Sequence, residues 1–102
     1  MVVKITDENF ESVVMNSEKP VLIDFYATWC GPCQMLAPFV AEIASEREDL
    51  FVGKVNVDDE IELARAFNIV SIPLLVVMKN GQVVNKILGY HTKEEILKEL
   101  GL

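Results

Sequence analysis

The segment Val21-Leu22-Ile23-Asp24-Phe25-Tyr26-Ala27-Thr28-Trp29-Cys30-Gly31-Pro32-Cys33 sets the architecture of this chain. From Val21 to Ala27 every side chain except that of Asp24 is apolar. Such a run is too short for a buried helix and suits a central strand covered on both faces. Cys30 and Cys33 follow at once and are the chain's only two cysteines. Pro32 fits the first position of a helix, where the missing amide donor costs nothing. The two sulfurs therefore stand where a strand hands over to a helix. Two residues between them allow a small ring to close, or to open as a dithiol, with little chain movement. A lone Cys-x-x-Cys in this setting reads as a redox pair.

Two other readings of the pair are weaker. As a staple, a four-residue ring would remove only about 2 kcal/mol of unfolded-state entropy. As a zinc site it would need four ligands. His91 and a carboxylate are the available candidates, and their spacing matches no familiar site. Cys30, at a helix N-terminus, is placed to ionise, because unpaired amides and the helix dipole favour negative charge there. That makes Cys30 the expected nucleophile and Cys33, one turn further in, the resolving thiol. Asp24, alone among apolar neighbours, is expected to have a raised pKa.

Outward from this segment the chain reads as alternating strands and helices. Val2–Ile5 is a short first strand, and Thr6 is expected to cap a helix from about Asp7 to Met15 with Phe10, Val13 and Val14 on its apolar face. Lys19-Pro20 breaks the chain ahead of the central strand. The cysteine helix is expected to reach about Arg47, burying Leu36, Phe39, Val40 and Ile43, with a kink at Pro38. Phe51–Val57 reads as a strand, and Asp59-x-x-Glu62 as the capping box of a short helix through Phe67. Leu74–Met78 and Val83–Leu88 form a hairpin at Asn80-Gly81. Thr92-x-x-Glu95 opens a last helix that turns Ile96, Leu97 and Leu100 inward. The order β-α-β-α-β-α-β-β-α predicts an α/β fold: a mixed, twisted sheet with helices on both faces and a right-handed crossover around the cysteines.

A chain of 102 residues is expected to form one domain over 1–102. Its net charge of -7 argues against nucleic acid or an anionic membrane surface as partner. No stretch approaches the roughly 20 apolar residues of a membrane span. Met1 to Glu8 does not look like a signal peptide, which favours the cytoplasm unless a leader has been removed. Charged side chains are missing from Phe25 to Ala41, from Ala66 to Met78 and from Ile87 to Thr92. If the loop parts of these stretches converge, they form an uncharged patch around the cysteines, suited to varied protein surfaces.

The chain resembles the thioredoxin family over essentially its whole length. The resemblance is carried by Asp24 to Cys33, by Lys54-Val55-Asn56-Val57-Asp58, by Ser71-Ile72-Pro73, and by Lys79-Asn80-Gly81 with Gly89. It implies a five-stranded sheet of order 1-3-2-4-5 flanked by four helices. It implies a protein-disulfide reductase that holds no bound cofactor and cycles the Cys30–Cys33 disulfide. Asp24 would relay a proton from Cys33, with Lys54 as its partner. Pro73 would be cis, presenting the backbone of Ile72 for a substrate strand. Trp29, Gly31, Pro32, Ile72, Pro73 and Gly89 would form the docking surface. A monomer is expected. Its partners would be a thioredoxin reductase and oxidised proteins such as ribonucleotide reductase, peroxiredoxin or methionine sulfoxide reductase. Pro38, His91 and Tyr26 read as kink, surface residue and packing.

Two positions depart from the family's usual pattern. Gln34 stands where Lys or Arg is common, which weakens the positive field at the thiolate. Leu74 stands where Thr is common, which alters packing beside Pro73. Gly31-Pro32 favours a reductase over an oxidase or isomerase, whose pairs usually enclose a His. A binding module whose thiols do no chemistry is the other rival.

Overall fold

The fold is taken from a computed structural model that describes all residues, 1–102. Five strands form one sheet: β1 (Val3–Lys4), β2 (Val21–Tyr26), β3 (Phe51–Asn56), β4 (Leu74–Lys79) and β5 (Gln82–Leu88), in the order β1-β3-β2-β4-β5. Strands β1 and β2 both run parallel to β3, whereas β4 runs antiparallel to β2 and to β5. Four helical segments complete the chain: α1 (Glu11–Met15), α2 (Gly31–Glu46), α3 (Ile61–Ala66) and α4 (Lys93–Glu99).

The central position of β2 follows from its composition. An apolar strand is stable only when both faces are covered and both edges paired. Alternate residues of β2 feed two cores. Leu22 joins Leu36, Val40 and Ile43 of α2, and Ile96 and Leu100 at α4. Val21, Ile23 and Phe25 join Val14 of α1 and Leu63 of α3 on the opposite face. Asp24 shares the α2 face with Leu22, because side chains alternate along a strand.

Local signals explain most boundaries. Asn80 (φ 52°) and Gly81 (φ 77°) both take the left-handed conformation, which makes the tight β4–β5 turn. Thr92 and Glu95 form the expected reciprocal capping box at the start of α4. Lys93 then ties α4 to α2 through Glu46 at 2.5 Å and Glu42 at 3.9 Å. Helix α2 runs without a break through Pro38. Pro38 and Gln34 both lie on the exposed side, so water can serve the carbonyl that the proline leaves without an amide donor.

Two expectations need correction. The N-terminal helix is shorter than Asp7–Met15 and widens into a π-type turn, with the amide of Asn16 bonded to the carbonyl of Glu11 at 3.1 Å. Thr6 still caps its approach, but with Asn9: the Asn9 amide donates to Thr6 Oγ1 and the Thr6 amide to Asn9 Oδ1. The Asp59-x-x-Glu62 box does not form. Helix α3 begins later, at Ile61, and its Leu63 amide donates to Asp7 Oδ1 at 3.0 Å. Glu60 in turn accepts from the Asp7 amide at 2.8 Å. The cap therefore comes from 56 residues away in sequence, beyond the reach of any local pattern.

This exchange predicts that Asp7→Ala lowers stability by about 1 kcal/mol, the usual value of a helix cap. Asp7→Asn, which keeps an accepting oxygen, should lose less. Urea denaturation of the three proteins measures both effects.

Candidate functional site

Strand β2 ends at Tyr26, and four residues later Cys30 stands as the N-cap of α2. The turn is held by backbone bonds from the Cys30 amide to Ala27 and from the Gln34 amide to the Cys30 carbonyl. Cys30 and Cys33 form a disulfide, with Cα atoms 5.2 Å apart. The Cys33 amide donates to Cys30 Sγ at 3.2 Å. This is a helix capped by sulfur, and the Cys33 amide that holds the sulfur, with the helix dipole, also favours a thiolate there once the ring opens. Both cysteines are buried, packed with Ala27 and against Tyr26, Val57 and Ile72.

Asp24 is 4% exposed, and no protein group donates to its Oδ1. Its register partner on β3 is Lys54. Burial pushes the Asp24 pKa up to about 7, while the charge of Lys54 pulls against that shift. Lys54 is not close enough to Asp24 to make an ion pair; its ammonium stands 5.7 Å from the centre of the Tyr26 ring. Asp24, Lys54 and Cys33 line one cavity of about 270 Å³, together with Gln34 and Thr28. The strand and the helix thus bring a buried acid and the second cysteine to the same hollow.

The other sequence-derived residues surround the disulfide. Ile72 packs against the cysteine cluster, and the Ile72–Pro73 bond is cis. The Gly89 amide donates to the Pro73 carbonyl at 2.8 Å, which joins the β5 exit to the proline loop. Gly89 has φ 92°, where a side chain would be unfavourable. Gly31 and Pro32 are exposed in the first turn of α2, and Trp29 is 69% exposed. His91 lies with Nδ1 3.1 Å from the Gly89 carbonyl oxygen. No three His, Cys, Asp or Glu side chains gather to hold a metal ion.

Two contacts escaped the sequence reading. The Trp29 indole donates to Asp58 Oδ2 at 2.8 Å. The uncharged stretches do meet around the cysteines, but a carboxylate from outside them stands at the edge of the patch. Gln34 Nε2 donates to the Thr28 carbonyl at 2.7 Å, spanning the loop that carries Cys30. Neither donor nor acceptor type is unusual, so no motif signals these bonds.

Comparison with known proteins agrees with this geometry. A family model described as Thioredoxin matches residues 1–101. The thioredoxin of Mycobacterium tuberculosis H37Rv is 52% identical over 99 residues, spanning 96% of this chain and 85% of that protein. The thioredoxin of Listeria monocytogenes is 50% identical over 97 residues, or 94% of this chain and 92% of its own length. The bifunctional thioredoxin reductase/thioredoxin of Mycobacterium leprae is 48% identical over 99 residues, which span 96% of this chain and 22% of that protein.

The buried acid makes a pH-dependent prediction. An unfolded Asp24 ionises near its ordinary 3.8, the folded one near 7. Between these values the folded state holds the extra proton, so stability falls as pH rises through the window. The full stabilisation is present below the lower value and gone above the upper one. Asp24→Asn should therefore change stability little near pH 4 and raise it by up to roughly 4 kcal/mol above pH 7, the energy of a three-unit shift. Denaturation of both proteins across this range measures the gap. A constant gap would contradict the assigned titration.

Proposed function

The chain belongs to the thioredoxin family, and we propose that in its dithiol–disulfide exchange Cys30 attacks, Cys33 resolves and Asp24 accepts the intervening proton. Thioredoxins are disulfide oxidoreductases that work through a redox-active cysteine pair, and this chain performs that exchange through Cys30 and Cys33. The observation that carries the residue roles is the shared cavity: an unpartnered carboxylate and the second cysteine face one hollow beneath the helix N-terminus.

In the reducing direction the Cys30 thiolate attacks one sulfur of the target disulfide. A mixed disulfide forms, and the target's other sulfur leaves as a thiolate that takes up a proton from solvent. Cys33 gives its proton to the Asp24 carboxylate and attacks Cys30 Sγ. The second target sulfur leaves, and two electrons have passed from the dithiol to the target. An acceptor with a pKa near 7 is suited to this transfer at neutral pH. Lys54 keeps Asp24 from being driven still higher by burial, which supports its role as the partner of Asp24.

The docking surface is formed by Trp29, Gly31, Pro32, Ile72, Pro73 and Gly89. Its support is their arrangement around the buried disulfide and the backbone of Ile72 beside it. A target segment pairs there as an added strand. The chain acts as one domain and as a monomer in the cytoplasm; no helix is long and apolar enough to cross a membrane. A thioredoxin reductase regenerates the dithiol. The fusion of reductase and thioredoxin in the Mycobacterium leprae relative supports that pairing. Ribonucleotide reductase, peroxiredoxin and methionine sulfoxide reductase are the target types.

Cys33→Ser should trap a covalent adduct with a disulfide-containing target through Cys30, whereas Cys30→Ser should trap none. Mass spectrometry of the two variants reads the outcome, and an adduct on the wrong cysteine reverses the roles. Asp24→Asn should slow the resolving step by roughly a hundredfold around neutral pH, the low end of general-base effects. Stopped-flow rates that match the parent across pH would remove Asp24 from the mechanism.

A further inference from the structure

A second concavity opens beside the cysteine site, on the sheet face that α1 and α3 cover elsewhere. It measures about 480 Å³ and is lined by Asn68, Val70, Ser71, Leu74, Lys86 and Leu88. Its floor follows from strand register. Leu74 pairs with Leu88 and Val76 with Lys86, so Leu88 and Lys86 point to the same face of the β4–β5 ladder, two residues apart. Ile87 between them points to the other face and packs on the α2 core. Further along β4 the same face is covered, and Val76 and Met78 are buried. At Leu88 and Lys86 the cover has ended.

The wall is equally fixed. After α3 the chain turns through Asn68, whose φ is 52°. The Ile69 amide bonds to the Ala64 carbonyl at 2.9 Å, and both Ile69 and Ile72 pack on the core. Anchors on either side force Val70 outward, leaving it 94% exposed. Leu88 opposite is 57% exposed. Two large apolar side chains are therefore held in water by the fold rather than by loose chain.

The charge of this groove differs from that of the molecule. The chain carries a net charge of -7. The groove contains no carboxylate, and its one charged residue is Lys86. The ion pairs of the structure involve Arg47 and Lys93, so Lys86 has no carboxylate partner. The groove is also continuous with the cysteine site, because Ser71 and Leu74 flank Ile72 and Pro73, and Ile72 touches the disulfide cluster.

We propose that this groove is a specificity subsite for the exchange reaction, occupied by the extended segment next to a target's reacting cysteine. A large apolar side chain beside that cysteine packs between Val70, Leu74 and Leu88, and a carboxylate two residues further along meets Lys86. The spacing follows from the strand itself, since Leu88 and Lys86 are about 7 Å apart along β5 and an extended segment advances equally. The preference rests on the reading that targets pair with the Ile72 backbone. It makes acidic-apolar segments better targets than basic ones, despite the acidity of the whole molecule.

The test uses the dithiol form and disulfide-linked peptides with Leu beside the cysteine and Glu or Lys two residues beyond. Each is made with the flank before and after the cysteine. Hydroxyethyl disulfide, which has no flank, reports the chemistry alone. In one orientation the Glu peptide should react about threefold to fivefold faster than the Lys peptide at low salt, the range of an exposed ion pair. About 1 M salt should close the gap, because the Debye length falls to about 3 Å. Lys86→Glu should invert the order, and Val70→Ser should reduce the rate advantage of the Leu peptide over a matched peptide with Ser beside the cysteine. The hydroxyethyl disulfide rate should be equal in all variants. If Lys86→Glu leaves the peptide order unchanged while hydroxyethyl disulfide is reduced normally, the subsite is wrong and the exchange chemistry stands. If hydroxyethyl disulfide is not reduced at all, both readings fall together.

Discussion

The bond from the Cys33 amide to the Cys30 sulfur is the contact around which this molecule is organised. It requires Cys30 to sit at the N-cap of α2 with the first turn already formed. That in turn requires β2 to end at a fixed place, which its pairing to β3 and β4 enforces from both sides. The two cores on the faces of the sheet clamp β2 and press α2 onto it. Opening the ring leaves a thiolate beside helix amides that need a partner. The dipole and the amides favour that charge by about 0.3–1 kcal/mol each at an exposed end, and by up to about 2 kcal/mol where water is partly excluded. The turn that builds the fold is thus the same one that favours a thiolate at Cys30, the proposed nucleophile.

Asp24 works against the fold that surrounds it. A carboxylate in the central strand, with one oxygen lacking a protein donor, destabilises the folded state whenever it is ionised. The shift to about 7 expresses that cost, and its first cause is burial. A hydrophobic residue at this position would give a more stable protein. The buried acid instead shares a cavity with Cys33 and has a pKa near neutral, the basis for its proposed part in the exchange, and perturbed acids of this kind concentrate at functional sites. The exposed Lys54 opposes the shift without closing on the carboxylate, so Asp24 stays free to gain and lose its proton.

Much of this was legible in the sequence because it depends on local chemistry. Val21–Ala27 announces a central strand by being apolar on both faces. Cys30, Pro32 and Cys33 mark the helix start, Asn80-Gly81 the hairpin, and Thr92 with Glu95 the last cap. Asp24 stands out as the single charge in its strand. What stayed hidden depends on tertiary approach. The Asp7 cap on α3 joins segments 56 residues apart, and it displaced a local Asp59-x-x-Glu62 pattern that looked sufficient. The Trp29–Asp58 bond and the Gln34–Thr28 bond use ordinary donors and acceptors brought together by the turn after β2. The wide turn at Glu11–Met15 contains no proline or glycine to mark it. The groove at Val70 and Leu88 required strand register, because only the pairing of β4 with β5 shows that Lys86 and Leu88 share a face.

The direction of electron flow is the central claim, and the equilibrium reduction potential of the Cys30–Cys33 pair tests it most directly. The pair would be equilibrated with defined dithiothreitol or glutathione buffers and its oxidised fraction measured. A value near about -270 mV, the known value for thioredoxin, is the predicted result for a reductase. A value near or above about -180 mV belongs with isomerases and oxidants and would contradict the account. A pair that never cycles would contradict it more deeply, leaving a protein whose contacts matter and whose thiols do not.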